Sequence, residues 1–246
     1  MSSTSETGHA KNLAHFQHLI AVCKSYGPTY NPNRSSLQIA SLQAQLTQAQ
    51  AALAAVTITK TTFDNATNNR KEGFANLQAF STQVVSALTA AGASDLAVAD
   101  AKVSVRKLQG RRAATIKPAA APATGPTEAV QDKHISVSQV SFDSQVDHFS
   151  KLVQTVLQQP NYNPNEKLLT VTALQAQLAQ LSNLNSNVIN TYTDWYKARI
   201  NRSNVLYNTV TGLTQTASDV KQYVKSIFGV SSNEYKQLSG LAFKVV

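Results

Sequence analysis

The segment Leu42-Gln-Ala-Gln-Leu46 recurs in the second half of the chain as Leu174-Gln-Ala-Gln-Leu178. Further matches occur in the same order along the chain: His15-Phe16 with His148-Phe149, Tyr30-Asn-Pro-Asn33 with Tyr162-Asn-Pro-Asn165, and Asn69-Arg70 with Asn201-Arg202. Several short matches in a fixed order at a nearly constant offset are typical of a duplicated module. The sequence therefore predicts a tandem duplication.

Long stretches without helix breakers surround these matches. The chain of 246 residues has 7 Pro and 9 Gly, and neither type occurs between Pro32 and Gly73 or between Pro164 and Gly212. Apolar residues recur there at spacings of three and four, which indicates one buried helical face. We therefore expect one very long helix per copy, of about 55 to 60 residues and about 80 to 90 Å. A rival interpretation breaks these helices at Thr57–Thr62 and Ile189–Thr193, because β-branched residues lower helix propensity slightly.

Shorter elements flank each long helix. The first helix of each copy is expected at about Lys11–Ser25 and Ser141–Gln158, ending before Gly27-Pro28 and Pro160. Asn31 and Asn163 are interpreted as N-caps with Pro at the first helical position, and Glu166 completes a capping box. Each copy is expected to end in a short helix and a strand-like tail: Ser94–Ala101 with Val103–Arg106, and Ser232–Leu238 with Leu241–Val246.

These patterns predict an all-α fold. Each module has a short helix, a very long helix and a short C-terminal helix, and the two modules pack as an elongated antiparallel bundle with pseudo-twofold symmetry. The predicted organisation is a disordered N-terminus at 1–10, copy 1 at 11–108, a Pro/Ala-rich basic linker at 109–130, and copy 2 at 131–246.

Arg70 and Arg202 fall on the apolar stripe of the long helices, at equivalent places in the two copies. A buried guanidinium needs acceptors, for which Asp64, Asp194 and neighbouring Asn side chains are candidates. We expect the two arginines to form a central polar layer near the pseudo-twofold axis. The alternative is an anion or partner site at the same place.

The charge balance favours anionic partners. Lys and Arg number 22 and Asp and Glu number 13, which gives a formal net charge of +9. One cluster of cations has no acid between residues 101 and 127 and is the candidate nucleic-acid or anion site: Lys102, Arg106, Lys107, Arg111, Arg112 and Lys117. Such a cluster neutralises phosphates without reading sequence, or it is a solvated junction.

A second candidate nucleic-acid surface mixes aromatic and basic residues between Tyr192 and Arg199. Its members are Tyr192, Trp195, Tyr196, Lys197 and Arg199. Interleaved rings and cations are typical of platforms that stack single-stranded bases. Aromatic residues at helical spacing also form helix cores, so both interpretations stay open.

No motif points to catalysis, a cofactor or a metal. Phosphate loops, nucleophile elbows and paired carboxylates have no match in the sequence. His15 and His18 have a metal-ligand spacing but no accompanying acids, so a capping or interface role is expected for His15 and His148. Cys23 is the only cysteine and is expected to be a buried, inert thiol. The predictions are therefore no catalytic residue, no metal ligand, no cofactor and no enzymatic activity.

The sequence shows no apolar stretch long enough to span a membrane and no apolar leader region. We expect a cytoplasmic protein, with export by a route without a cleaved signal left open. The Tyr-Asn-Pro-Asn turns and the segment Glu234-Tyr-Lys-Gln237 resemble those of uncharacterised bacterial helical-repeat proteins with duplicated Tyr-Asn-Pro-Asn modules. That resemblance implies no activity.

The functional hypothesis is a structural or scaffold protein that acts through helical packing, with a second copy of itself or another helical protein as partner. The first alternative is a sequence-independent nucleic-acid binder of nucleoid type. The second is a helical toxin or effector that inserts into membranes after rearrangement.

Overall fold

The computed structural model describes residues 8–111 and 140–246. These residues form eight α-helices and two 3-10 turns, and no strand occurs among them. The helices are α1 (His9–Ser25), α2 (Ile39–Phe74), α3 (Leu77–Ala90), α4 (Asp95–Leu108), α5 (Phe142–Leu157), α6 (Val171–Tyr207), α7 (Leu213–Phe228) and α8 (Asn233–Ser239). The all-α prediction is confirmed.

The first helix of each copy lies where the sequence predicts it. The Ser141 hydroxyl caps α5 by accepting a hydrogen bond from the Ser144 amide. Gly27 follows the end of α1 in the left-handed region of backbone conformation, which favours glycine over residues with a side chain. Because α1 begins at His9, residues 8–10 of the predicted disordered N-terminus are ordered, and residues 1–7 lie outside the described part of the chain.

The long helices are continuous through Thr57–Thr62 and Ile189–Thr193, as expected, but they are shorter than predicted. Helix α2 has 36 residues and α6 has 37. At the rise of an α-helix, each is therefore roughly 54 Å long. The prediction missed the breaks after Phe74 and Tyr207. At the second break, the Asn208 side chain accepts hydrogen bonds from the Val210 and Thr211 amides, so a local turn replaces the helical pattern.

The Asn-Pro-Asn segments are not helix caps, and the predicted capping box at Asn163 and Glu166 is wrong. Helices α2 and α6 begin several residues later, and α6 is capped by the Thr170 hydroxyl. A tyrosine before each segment instead bridges it. The Tyr30 hydroxyl donates to the Leu37 carbonyl at 2.8 Å, and the Tyr162 hydroxyl donates to the Leu169 carbonyl at 2.7 Å. These bonds hold each segment in a non-helical connection between two helices.

The ends of the two copies differ from each other. Ser94 and Ser232 cap α4 and α8 as equivalent residues. The predicted strand-like tail at Val103–Arg106 is wrong because this segment lies inside α4, where apolar residues continue at helical spacing through Leu108. Residues Leu241–Val246 form no helix and no strand.

The chain divides into two compact units that do not coincide with the two predicted copies. Unit 1 joins the described residues up to Asn65 to Asn190–Val246, and unit 2 is the described part of Ala66–Ile189. Helices α2 and α6 each contribute one end to each unit. Each unit therefore takes residues from both copies, while the duplication and its symmetry remain predictions.

Each unit has its own apolar core. The unit 1 core includes Phe16, Leu19, Leu42, Leu206, Leu213, Val220 and Leu238. The unit 2 core includes Leu88, Leu108, Phe149, Leu152, Leu174 and Leu181. Phe16 and Phe149, which match in the repeat, are both fully buried. In unit 1, Gln45 contacts Thr211 and Phe63 contacts Trp195, so α2 and α6 run antiparallel there.

Candidate functional site

The aromatic and basic stretch of α6 lies in unit 1, and Trp195 is at its centre. The half-buried Trp195 ring stacks on Phe63 with centroids 5.7 Å apart and planes at 12°. Lys60 Nζ lies 5.4 Å and Arg199 Cζ 5.1 Å from the centroid of the same ring. The half-buried indole is thus packed against one ring and two cations.

Three large side chains on α6 are exposed at intervals of four residues. Tyr192 is 49% exposed, Tyr196 is 52% exposed and Ile200 is 45% exposed. Residues four apart lie on neighbouring positions of one helix face. We call Tyr192, Tyr196 and Ile200 the α6 row.

The central polar layer of Arg70 and Arg202 remains a prediction, because the two arginines belong to different units. Arg70 belongs to unit 2 and Arg202 to unit 1. The proposed acceptors are engaged elsewhere, because Asp64 pairs with Lys60 at 2.5 Å and Asp194 lies 3.9 Å from Lys197. Phe63 and Trp195, which the predicted repeat aligns, contact each other in unit 1.

The environments of the two arginines differ. The Arg70 guanidinium lies 4.2 Å from the centroid of the Phe142 ring, an arrangement that stabilises a cation through the ring electrons. Both Arg70 Nε and Arg202 Nε are buried without a hydrogen-bond acceptor. Arg202 lines a shallow, open depression of about 220 Å³. The complete lining is Tyr196, Arg199, Ile200, Arg202, Ser203 and Asn204.

A polar network close to Arg202 connects α1 to the end of α6. His9 Nδ1 lies 2.6 Å from the Tyr207 hydroxyl, and Asn12 Nδ2 donates to the same hydroxyl at 3.3 Å. Burial, followed by the positive charge of Arg202, lowers the pKa of His9 from its usual value. Burial raises the pKa of Tyr207, while Asn12 and Arg202 oppose that shift. The network is therefore neutral at physiological pH and leaves the arginine charge uncompensated.

Side chains of α1 and α7 hold the C-terminal residues of unit 1. The Asn12 amide donates to the Lys244 carbonyl at 2.6 Å and accepts from the Lys244 amide at 3.1 Å. His15 Nδ1 lies 2.7 Å from the Ala242 carbonyl, and Lys221 donates to the Leu241 carbonyl. The expected interface role of His15 is therefore observed. Sequence reasoning did not find this clamp, because its acceptors are backbone atoms.

His148 in unit 2 is the counterpart of His15 but has a different environment. It is 4% exposed, and neither ring nitrogen has a hydrogen-bond partner. Burial lowers the pKa of His148, although the carboxylate of Asp147 opposes the shift. Asp147 itself pairs with Lys151 at 2.6 Å. His148 is thus buried without a hydrogen bond, and its Nδ1 lies 3.5 Å from the Asp147 carboxylate.

Cys23 lies in the unit 1 core. Burial raises the pKa of its thiol to about 12, so almost no thiolate forms at neutral pH. Within residues 8–111 and 140–246, no group of three His, Cys, Asp or Glu side chains is placed to hold a metal ion.

The cation cluster predicted from the sequence lies partly on α4 in unit 2. Lys102, Arg106 and Lys107 belong to α4, and Arg111 follows its end. Lys102, Lys107 and Arg111 are exposed, whereas Arg106 is half-buried. Arg112 and Lys117 lie outside the described residues.

Comparisons with protein-family models, curated proteins and solved structures found no match to this chain. In the described part of the chain, no helix is both long enough and apolar enough to cross a membrane.

Proposed function

We propose that this chain is a non-enzymatic structural or scaffold protein that self-associates through helical packing, with the α6 row as its contact surface. The observation that carries the proposal is the alignment of Tyr192, Tyr196 and Ile200 on one exposed helix face. Scattered exposed apolar residues are normal on a protein surface, whereas contiguous apolar patches mark interaction sites. A cytoplasmic location is part of this proposal.

The chemistry of the row supports a protein partner. Tyr is enriched in the centres of protein interfaces because it combines a large apolar ring with a polar hydroxyl. Fully burying one large apolar side chain contributes about 1.5 to 3 kcal/mol. Three half-exposed side chains therefore supply part of an interface, which suits reversible association.

A non-enzymatic role is supported by the burial and the hydrogen bonds of the cysteine and histidine side chains. The raised pKa of Cys23 opposes nucleophilic chemistry at neutral pH. His148 is enclosed in the unit 2 core. His9 and His15 bond to a hydroxyl and a backbone carbonyl, respectively.

Sedimentation velocity over a range of protein concentrations tests the proposal. The wild-type mass is expected to rise above that of one 26.5 kDa chain as the concentration increases. The double variant Tyr192→Ser with Tyr196→Ser is expected to stay monomeric. Leu168→Ser is the matched control, because Leu168 is 75% exposed and lies outside the row. A wild-type chain that is monomeric throughout would contradict the proposal.

Nucleic-acid binding is the second candidate function, favoured by the exposed cations of α4. Lys102, Lys107 and Arg111 make no salt bridge within the described residues. Binding that neutralises phosphates weakens steeply with salt. We expect duplex DNA to bind at low salt and to dissociate as salt is raised. Replacing Lys102, Lys107 and Arg111 by Gln should weaken that binding, and no binding at low salt would eliminate this candidate.

A further inference from the structure

The depression beside the α6 row has the size of a site for one small group. Its volume of about 220 Å³ is below the roughly 300 to 1,000 Å³ of pockets that hold drug-sized ligands and cofactors. At about 30 Å³ for each liquid water, it holds the volume of about seven waters. An oxyanion of the size of phosphate, alone or with a small substituent, fits that space.

The lining of the depression is cationic and has no acid. Arg199 and Arg202 both contribute to it, and a guanidinium stays protonated in proteins and can only donate hydrogen bonds. Among the described residues, neither arginine has a carboxylate within salt-bridge distance. The nearby Tyr207 supplies no negative charge at neutral pH, because burial raises the pKa of its hydroxyl.

Arg70 provides an internal comparison for this arrangement. It occupies the same place in the repeat as Arg202, and its Nε is also buried without an acceptor. The Phe142 ring lies 4.2 Å from its guanidinium and provides a cation–π partner. The residue that matches Phe142 in the first copy is His9, whose ring bonds to Tyr207 instead. Arg202, by contrast, lines the open depression.

We propose that the depression is a binding site for an oxyanion of the phosphate class. Arg199 and Arg202 provide the charged donors, because guanidinium groups match the geometry of phosphate oxygens. Ser203 and Asn204 provide neutral donors, and Tyr196 and Ile200 form an apolar wall. The site goes beyond self-association and does not depend on it, although it shares Tyr196 and Ile200 with the α6 row.

The fluorescence of Trp195 provides a direct measurement of anion binding at this site. It is the only tryptophan of the chain, and Arg199 Cζ lies 5.1 Å from its ring centroid. An anion that engages Arg199 changes the field at the indole, so its fluorescence is expected to change and saturate. The titrants are inorganic phosphate and phenyl phosphate, with chloride at the same ionic strength as the reference. Arginine Nε–H signals in a ¹H–¹⁵N spectrum provide a second readout that does not depend on fluorescence.

The variants assign the response to the two arginines. Arg199→Gln and Arg202→Gln are each expected to weaken binding by about tenfold or more, as the loss of a charge-assisted hydrogen bond does. Arg70→Gln is the matched control and should leave binding unchanged. Tighter binding of phenyl phosphate than of inorganic phosphate would identify an organic phosphate as the ligand source, and equal binding would identify the free ion.

The proposal is overturned if phosphate and chloride give the same response in both readouts. It is also overturned if Arg202→Gln binds phosphate as tightly as the wild type. Wild-type sedimentation measured on the same samples reports self-association separately, so either proposal can fail while the other stands.

Discussion

Residues that the predicted repeat aligns have different environments in unit 1 and unit 2. In unit 2, the Phe142 ring lies against Arg70, whereas in unit 1 the matching position holds His9, which bonds to Tyr207. Arg70 is thus covered by a ring, and Arg202 borders an open depression. The two environments therefore differ in one residue at the start of a helix. Phe142 packs against Arg70, whereas His9 leaves Arg202 at the border of a candidate binding site.

The two units also differ in what packs against the first helix of each predicted copy, which is α1 in unit 1 and α5 in unit 2. In unit 1, Asn12 and His15 bind the backbone of the C-terminal residues. In unit 2, α4 stays helical and packs on α5, and neither ring nitrogen of the buried His148 has a hydrogen-bond partner. Extended backbone offers free donors and acceptors to a neighbouring side chain, whereas a helix uses those groups internally. The conformation of the partner segment thus decides whether the histidine is bonded.

The greatest loss of stability is expected from the substitutions that test whether the two cores are equivalent. Phe16→Ala in unit 1 and Phe149→Ala in unit 2 should each lower the free energy of unfolding by about 3 to 5 kcal/mol, because both rings are fully buried. Urea unfolding followed by circular dichroism measures both losses. A cost of less than about 1 kcal/mol at one site would show that its core does not depend on the ring.

Asn12→Ala tests the clamp of unit 1. It removes both bonds to Lys244 and is expected to cost about 1 to 3 kcal/mol, because two intramolecular hydrogen bonds are lost at about 0.5 to 1.5 kcal/mol each. Hydrogen exchange at the Lys244 amide should accelerate. Gln145, which precedes His148 by the same spacing as Asn12 precedes His15, gives the control. Gln145→Ala should stay within about 0.5 kcal/mol of the wild type, and an equal loss in both variants would refute a clamp specific to unit 1.

The pH dependence of stability tests the buried histidines. Burial lowers the folded-state pKa of His148 below the ordinary 6.5, and burial with the Arg202 charge lowers the pKa of His9. As the pH falls through the ordinary histidine pKa, the unfolded chain takes up these protons first, so stability present at neutral pH is lost. The groups acting on His148 are Asp147 and Lys151 from α5 and Lys107 from α4.

His148→Leu should reduce this acid sensitivity, whereas His18→Gln, at an exposed position, should keep it. The measurement is the urea midpoint from about pH 7.5 down to about pH 5, which brackets the ordinary histidine pKa. An unchanged slope in His148→Leu would assign the acid sensitivity to other groups.

The positions of most helices could be predicted from the sequence, whereas the contacts that distinguish the two units could not. Apolar spacing and the lack of Pro and Gly located α1, α5 and the continuous middle of α2 and α6. The end of α6 was missed because Asn208 forms a side-chain turn in a stretch without Pro or Gly. The start was missed because the Tyr162 hydroxyl binds the backbone carbonyl of Leu169, well beyond the Asn-Pro-Asn segment.

The candidate site shows the same limit. The spacing of Tyr192, Tyr196 and Ile200 was visible in the sequence, but their exposure depends on what the remaining helices cover. Arg202 was identified as unusual from its place on the apolar stripe. Its separation from Arg70 into another unit follows from the register in which Phe63 meets Trp195, which the repeat alone did not specify.

The weakest effect on stability is expected for the arginine pair. Arg70→Met should change the free energy of unfolding by less than about 1 kcal/mol or stabilise the chain, because a well-packed apolar side chain often equals a buried ion. Arg202→Met should be equally tolerated but should abolish phosphate binding. Thermal unfolding with and without phosphate distinguishes the two. A loss of several kcal/mol in Arg70→Met would show that its charge stabilises unit 2.

Hydroxyl-radical footprinting of the unmodified chain measures the solvent exposure of Tyr192 and Tyr196, and so tests directly whether the chain self-associates through the α6 row. Tyr192 and Tyr196 are each about half exposed in the single chain, so both rings should react at low protein concentration. We predict that their reactivity falls together as the concentration rises, while that of Leu168, which is exposed outside the row, stays constant. Constant reactivity of both tyrosines while the mass increases, or an equal fall at Leu168, would contradict association through this surface.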